Sequence, residues 1–447
     1  MTRREWIARS LALLPAARMI PGAWSQTGST SLKAGIAETT ITPDWPTPLW
    51  GYGGRPPFSD GILDDIFAKA ILLDCGKRFL IITMDVGAIG FPLYRRIARR
   101  IHETIKIDED AIMIQCTHDH SAPANIDVTG TDADLRFHEL LLSKLVYLAS
   151  ETQRNLAPAT LSFGQTESHI ARNRRVGAKT STWDRDSGPI ESAFSVVLIQ
   201  SPEGRNRGVI VNYPTHPVTL RDDNNKISAD FPGVLYKELG RSLNCPVMYM
   251  QGTCGDMIPK IFGTTREMEE YGRKMAEEAQ RALAAAKPLS ADSLDFRTQR
   301  VVVTFVSPYT LDDFRARYAT FFKGQEEKEL WAEHLLRFLE DGGDVRQSRD
   351  TLVAALRIGD LALAILPGEI LHLTATLIRQ QFPGRKLMIA AYSNDTSVGY
   401  LPNADEFPKG GYEVESAWQY YGTFRTTPQM EKDVRETAIG LLHGLVG

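Results

Sequence analysis

Ala111-Ile112-Met113-Ile114-Gln115-Cys116-Thr117-His118-Asp119-His120-Ser121-Ala122-Pro123 is an apolar run that ends in two histidines one residue apart. A run of this length and composition reads as a buried strand, so the His-x-His falls at its carboxyl end, where open α/β sheets place their ligands. Neutral imidazole is the commonest protein ligand for zinc, and in an extended segment both rings reach the same small volume. Read alone, the pair is equally satisfied by two hydrogen-bonded histidines.

Working outward, 66–74 and 78–85 read as a strand pair joined by Cys75-Gly76-Lys77, and 93–101 has helical spacing of its apolar positions. Helices are expected at 135–155, 266–285, 370–381 and 429–445, and strands at 193–200, 208–213, 246–250, 352–358, 361–366 and 387–392. The strongly charged stretch 312–340, interrupted at Gly324, reads as a helical excursion near 310–341. Adjacent strand pairs with intervening helices predict an α/β fold of mixed β-sheets flanked by helices, forming one domain over 31–447.

At 447 residues, with 43% hydrophobic and 24% charged residues, the composition is that of an ordinary globular chain, and a net charge of -4 gives no reason to expect nucleic acid as a partner. A small molecule is the expected one. Arg3-Arg4, the weakly apolar stretch 8–23 and the small residues around Trp24 make 1–25 an expected export signal of twin-arginine type, too charged to span a membrane. That places the protein in the periplasm or outside the cell. Cys75, Cys116, Cys245 and Cys254 show no paired spacing and are expected as small core hydrophobes.

Two further segments end in a polar residue where a strand stops. His216 lies between Pro214 and Pro217, and Glu369 follows Pro367-Gly368, where it also suits the first turn of a helix. Two histidines and a carboxylate from separate strand ends make a three-donor set with an open position, which is what catalytic zinc requires.

At this point the chain resembles the neutral ceramidase family of zinc amidases, which hydrolyse N-acylsphingosine. The resemblance rests on Ala34-Gly35-Ile36-Ala37-Glu38-Thr39-Thr40-Ile41-Thr42-Pro43 and on Thr117-His118-Asp119-His120-Ser121-Ala122-Pro123, where Ala122 stands in place of the family's glycine. It implies His118, His216 and Glu369 as ligands of Zn2+ and Tyr400 as a fourth. It also implies that His120 and Tyr412, twelve residues after Tyr400, face the scissile carbonyl. An Asn-Arg pair of the family is matched by Asn173-Arg174, although Arg172 and Arg175 stand beside it, and Arg174 is taken.

The pattern breaks at Gly255-Asp256-Met257-Ile258-Pro259, where Ile258 occupies the position of the family's nucleophilic serine. The expectation is therefore hydrolysis of an amide or ester by water that zinc acidifies, with Asp256 or His120 handling the proton. A smaller or more polar substrate than ceramide is expected. Two alternatives stand beside it: a zinc-retaining binding protein without turnover, and a true ceramidase acting on N-acylsphingosine.

Overall fold

The computed structural model describes residues 31–446 apart from 129–130, 177–179, 182–187 and 325, so the expected export signal at 1–25 lies outside the described residues. Three sheets dominate. The first runs Ile112–Cys116, Arg78–Met84, Phe67–Asp74, Lys33–Thr40 and Ala157–Pro158; the second runs Val247–Gln251, Asn206–Tyr213, Ala193–Gln200, Thr160–Glu167 and Lys287–Pro288. The third runs Leu294–Val306, Arg346–Ile358, Leu361–Ile365 and Lys386–Ala390. The expected mixed α/β architecture is present, with helices Phe91–Ile105, Leu135–Arg154, Asp230–Leu243, Thr265–Ala284 and Pro428–Val446 among its longer ones.

Each sheet has the same construction at one edge. Antiparallel pairing gives way there to a single parallel pair: Arg78–Met84 with Ile112–Cys116, Asn206–Tyr213 with Val247–Gln251, and Leu361–Ile365 with Lys386–Ala390. These edge strands are almost wholly buried, which explains their unbroken apolar runs. Loops that leave the carboxyl ends of these parallel pairs carry His118 and His120 after Ile112–Cys116, His216 after Asn206–Tyr213 and Glu369 after Leu361–Ile365.

The three edges are laced together by buried carboxamides. Gln115 Nε2 donates to Gln251 O at 2.8 Å and to Ala391 O at 2.6 Å, while Gln115 Oε1 accepts from Gln251 N at 3.1 Å. Asn212 Nδ2 donates to Met250 O at 2.9 Å and Ile389 O at 3.1 Å. Asn394 completes the join, with its peptide N–H on Ile114 O at 2.7 Å and its side-chain oxygen accepting from Ile114 N at 2.9 Å. A backbone polar group buried without a partner is costly, so these amides satisfy strand edges that would otherwise lie exposed to one another in a dry core.

One element boundary is corrected. The helix expected from Ile370 begins at His372, because Glu369–Ile370 forms a parallel bridge with Tyr400–Leu401. The charged stretch 312–340 is three helical pieces, Leu311–Arg317, Tyr318–Phe322 and Glu326–Glu340, and it returns to the core. Phe314 and Trp331 are buried, with Trp331 Nε1 donating to Thr423 O at 3.2 Å and its ring 5.1 Å from Trp418. The strand Leu294–Val306 was not expected, since its exposed face reads as a polar segment.

Replacing Gln115 with alanine removes the amide that joins all three sheets and leaves a buried N–H without its acceptor. A loss of about 2–4 kcal/mol in unfolding free energy is expected, measured by urea denaturation against the parent chain.

Candidate metal centre

His118 follows the edge strand Ile112–Cys116 and adopts φ +69°, a left-handed backbone uncommon outside glycine. Its amide is held by Val86 O at 3.1 Å, and that of Thr117 by Met84 O at 2.8 Å, so the neighbouring parallel strand fixes the turn. The ring is fixed as well: Nδ1 lies 2.7 Å from Gly87 O. His216, buried between its prolines, repeats the device, with Nδ1 3.0 Å from Met257 O. A backbone carbonyl accepts only from N–H, so both rings carry a proton on Nδ1 and turn Nε2 towards the shared point.

Glu369 arrives from the third sheet. Gly368 precedes it at φ +69°, with its Cα so close to Gly399 O that a Cβ would stand 2.8 Å away. The Glu369 amide donates to Gly399 O at 2.9 Å, which aims the carboxylate at the two rings. Oε2 lies 3.0 Å from His118 Nε2 and 3.4 Å from His216 Nε2. Two ring nitrogens and a carboxylate oxygen thus crowd together, and His216 Nε2, fully buried, has no hydrogen-bond partner. Such a set fits a divalent cation. His118, His120 and His216 also place their ring nitrogens within 4.8 Å of one another, with His120 Nε2 3.3 Å from His118 Nε2.

Protonation favours the same outcome. Burial pushes His216 down to about 4, assisted by the nearby His118, despite the opposing pull of Glu369. Burial, then His118 and His216, push His120 well below the usual histidine range. Burial alone would raise Glu369, but the two facing imidazoles hold its carboxyl well below the ordinary range. Near neutral pH His216 and His120 are therefore uncharged imidazoles beside an ionised Glu369.

The remaining expected residues are placed as follows. Tyr400 stands opposite Glu369 in the parallel bridge, and its hydroxyl accepts from Arg174 Nη2 at 2.9 Å. Arg174 is buried, with Nε on Glu413 Oε1 at 3.0 Å and Nη2 also on Gly255 O at 2.9 Å. Tyr412 packs edge-on to Tyr400, ring centroids 5.6 Å apart. His120, Arg174, Glu369, Tyr400 and Tyr412 all line one cavity of about 360 Å³. Asp256 does not line it. Its Oδ2 lies 2.6 Å from His372 Nδ1 and accepts from Asn173 Nδ2 at 3.1 Å, and its Oδ1 accepts from His372 N at 2.9 Å. Ile258 is fully buried in a short strand paired to Ala171–Asn173. Cys254 is a buried thiol 3.1 Å from Tyr392 Oη, and burial keeps it protonated.

Sequence reasoning missed several groups. Tyr421 donates to Glu369 Oε1, and Tyr392 Oη lies 3.4 Å from Oε2. Trp50 packs edge-on against both His118 and His120, each at 4.9 Å, and Tyr52 against His120 at 5.0 Å. The one local signal was the glycine-rich loop at 51–54. Gly51, at φ +104°, lies so close to His120 that a Cβ would stand 2.4 Å from Nδ1.

Gly51→Ala is therefore expected to displace the His120 ring while leaving the unfolding midpoint within a few degrees; a crystal structure or histidine NMR shifts would register the change. Metal-free protein is expected to lose stability as pH falls from about 6.5 to 4. In that window unfolded histidine takes up protons whereas His216, at about 4 when folded, does not. Denaturation midpoints at pH 7 and pH 5 measure this, and the slope should be smaller in His216→Asn.

The family model of neutral/alkaline non-lysosomal ceramidase, N-terminal, matches residues 32–288, which include His118, His120, Arg174, His216 and Asp256. Neutral ceramidase of Pseudomonas aeruginosa is 23% identical over 234 residues, 48% of this chain, and the match spans 34% of that relative's length. In three dimensions the chain is similar to the crystal structure of the Pseudomonas aeruginosa neutral ceramidase, with a TM-score of 0.73 at 16% identity, covering 93% of this chain and 74% of that one. A structure of ceramidase complexed with C2 matches equally well, at a TM-score of 0.73 over 75% of its chain. The fold likeness, at 93% of this chain, thus extends beyond residue 288. The chain belongs to the neutral/alkaline non-lysosomal ceramidase family.

Proposed function

We propose that this protein is an exported, zinc-dependent hydrolase of acyl amides or esters, with His118, His216, Glu369 and Tyr400 as metal ligands. The observation that carries it is the convergence of His118 Nε2, His216 Nε2 and Glu369 Oε2, each oriented by backbone, on one buried point beside a cavity. Zinc held there by His118, His216, Glu369 and Tyr400 would supply Lewis acidity for activating water and polarising a carbonyl. Burial pushes the Tyr400 hydroxyl well above its usual range, so the phenolate needs a cation beside it; the Arg174 guanidinium already donates to that oxygen, and a bound zinc would complete the stabilisation.

The chain's own groups divide the remaining work. Tyr412 is kept protonated by burial, so its hydroxyl is a donor for the carbonyl oxygen as negative charge develops there. His120, held neutral beside the metal ligands, accepts the proton of the attacking water. Arg174 positions Tyr400. Asp256, its oxygens already engaged by His372 and Asn173, supports the segment that bears Arg174, since the Arg174 amide donates to Asp256 O at 2.8 Å. Water rather than a side chain is the nucleophile here, because Ile258 has none to offer and Cys254 stays protonated. Nor does a helix among the described residues have the length and apolarity to cross a membrane. The export assignment rests on Arg3-Arg4 and the apolar stretch after them.

Ile258 also favours a second reading, a protein that keeps the metal and binds an amide without turning it over. Purified protein is expected to carry about one zinc per chain and to hydrolyse acyl amides in a zinc-dependent way. His118→Ala should lower metal affinity about a hundredfold or more and reduce turnover to background. Stoichiometric zinc without turnover of any amide or ester would establish the binding protein instead; absence of zinc binding would remove both readings.

A further inference from the structure

Resting on the hydrolase reading, the geometry points to a compact, hydrogen-bonding substrate, a short acyl group on a polar amine, in place of a long-chain lipid amide. The cavity holds about 360 Å³, near the lower end of the roughly 300–1,000 Å³ of small-molecule sites. A molecule with two long chains would leave most of its length outside.

The walls select against a polymethylene chain. Among the described residues lining the cavity, the aliphatic side chains are Val128 and Val218 alone. The rest of the surface is aromatic, polar or glycine: Trp50, Tyr52, Tyr412, Tyr420 and Tyr421 form much of the wall, and Arg221 and Asp222 bring charge to it. Phenols and an indole combine a flat apolar body with a polar tip, a surface suited to a small ligand that offers both faces and hydrogen bonds. Asp222 keeps an exposed carboxylate in this wall, and a methylene chain laid over it would take that charge out of water, which is unfavourable. A polar amine gives it a partner.

Among the described residues, the large exposed hydrophobic side chains, Phe58, Ile62, Leu63, Leu135 and Tyr147 among them, do not line the cavity. Chain atoms beyond the first few carbons meet none of them on its wall, so each added methylene gains little burial there. Asp222, its carboxylate exposed and 3.7 Å from Arg221 Nε, is the wall residue outside the proposed metal and reaction groups best placed to read the amine portion.

The test separates cavity preference from turnover by using alkyl hydroxamates, which bind zinc and need no reaction. Calorimetric titration of the zinc-loaded protein with acetohydroxamate, butyrohydroxamate, octanohydroxamate and laurohydroxamate is expected to show affinity falling about tenfold or more from the shortest to the longest. Asp222→Leu should shrink that difference severalfold without altering zinc content. Parallel assays of N-acetyl and N-lauroyl amides of a polar amine should rank the same way. Tighter binding of laurohydroxamate than acetohydroxamate would overturn the inference, as would no binding by any member. The expected hydroxamate ranking without turnover of either amide would uphold the cavity preference and refute the hydrolase reading alone.

Discussion

Buried carboxamides at the meeting of three sheet edges are the constraint from which the rest of this structure follows. Gln115 touches the ends of two other sheets at once, and Gln251 Nε2 reaches Thr117 O at 2.7 Å and Thr215 O at 2.9 Å, one residue before each of two candidate ligands. The strand ends that carry His118, His216 and Glu369 are thereby set relative to one another by hydrogen bonds of fixed length. Donor geometry at a metal centre tolerates only small errors, and a buried, fully bonded amide network is a rigid way of meeting that tolerance. The same join explains why a single parallel pair sits at the edge of each otherwise antiparallel sheet. Parallel neighbours send their carboxyl ends in one direction, so the loops emerge together.

Much of the centre was legible because its signals are local. A strand ending in His-x-His, a histidine between prolines and a glutamate after Pro-Gly each state a chain reversal and a ligand-type side chain within a few residues. Convergence of the three was an inference from chemistry, and the fold supplies it through Gln115, Gln251, Asn212 and Asn394. Their roles could not be read, since each is a lone polar residue whose partners lie in other sheets. Tyr392, Tyr421 and Trp50 escaped for the same reason: a tyrosine that bonds Glu369 looks no different in sequence from one with a wet hydroxyl. Leu294–Val306 was missed because one of its faces is solvated, so its polar residues mask the strand.

The family's fold is retained here. Where Ile258 sits, the chain makes a short buried strand against Ala171–Asn173, and the neighbouring Met257 carbonyl holds His216. That segment thus supports the metal centre from behind and contributes no reactive group to the cavity. Asp256, in the same turn, is tied to His372 and Asn173 and carries the Arg174 peptide. In the proposed hydrolysis the chemistry falls to side chains that face the cavity, His120 and Tyr412, together with the metal that the three convergent donors would hold.

X-ray absorption at the zinc edge, recorded on purified full-length protein reconstituted with one equivalent of zinc, tests the central claim most directly. The account predicts a first coordination sphere of nitrogen and oxygen donors at about 2.0–2.1 Å with outer-shell scattering from two imidazoles, and loss of that imidazole signature in His216→Ala. A spectrum with sulfur near 2.3 Å, or one without imidazole scattering, would contradict it.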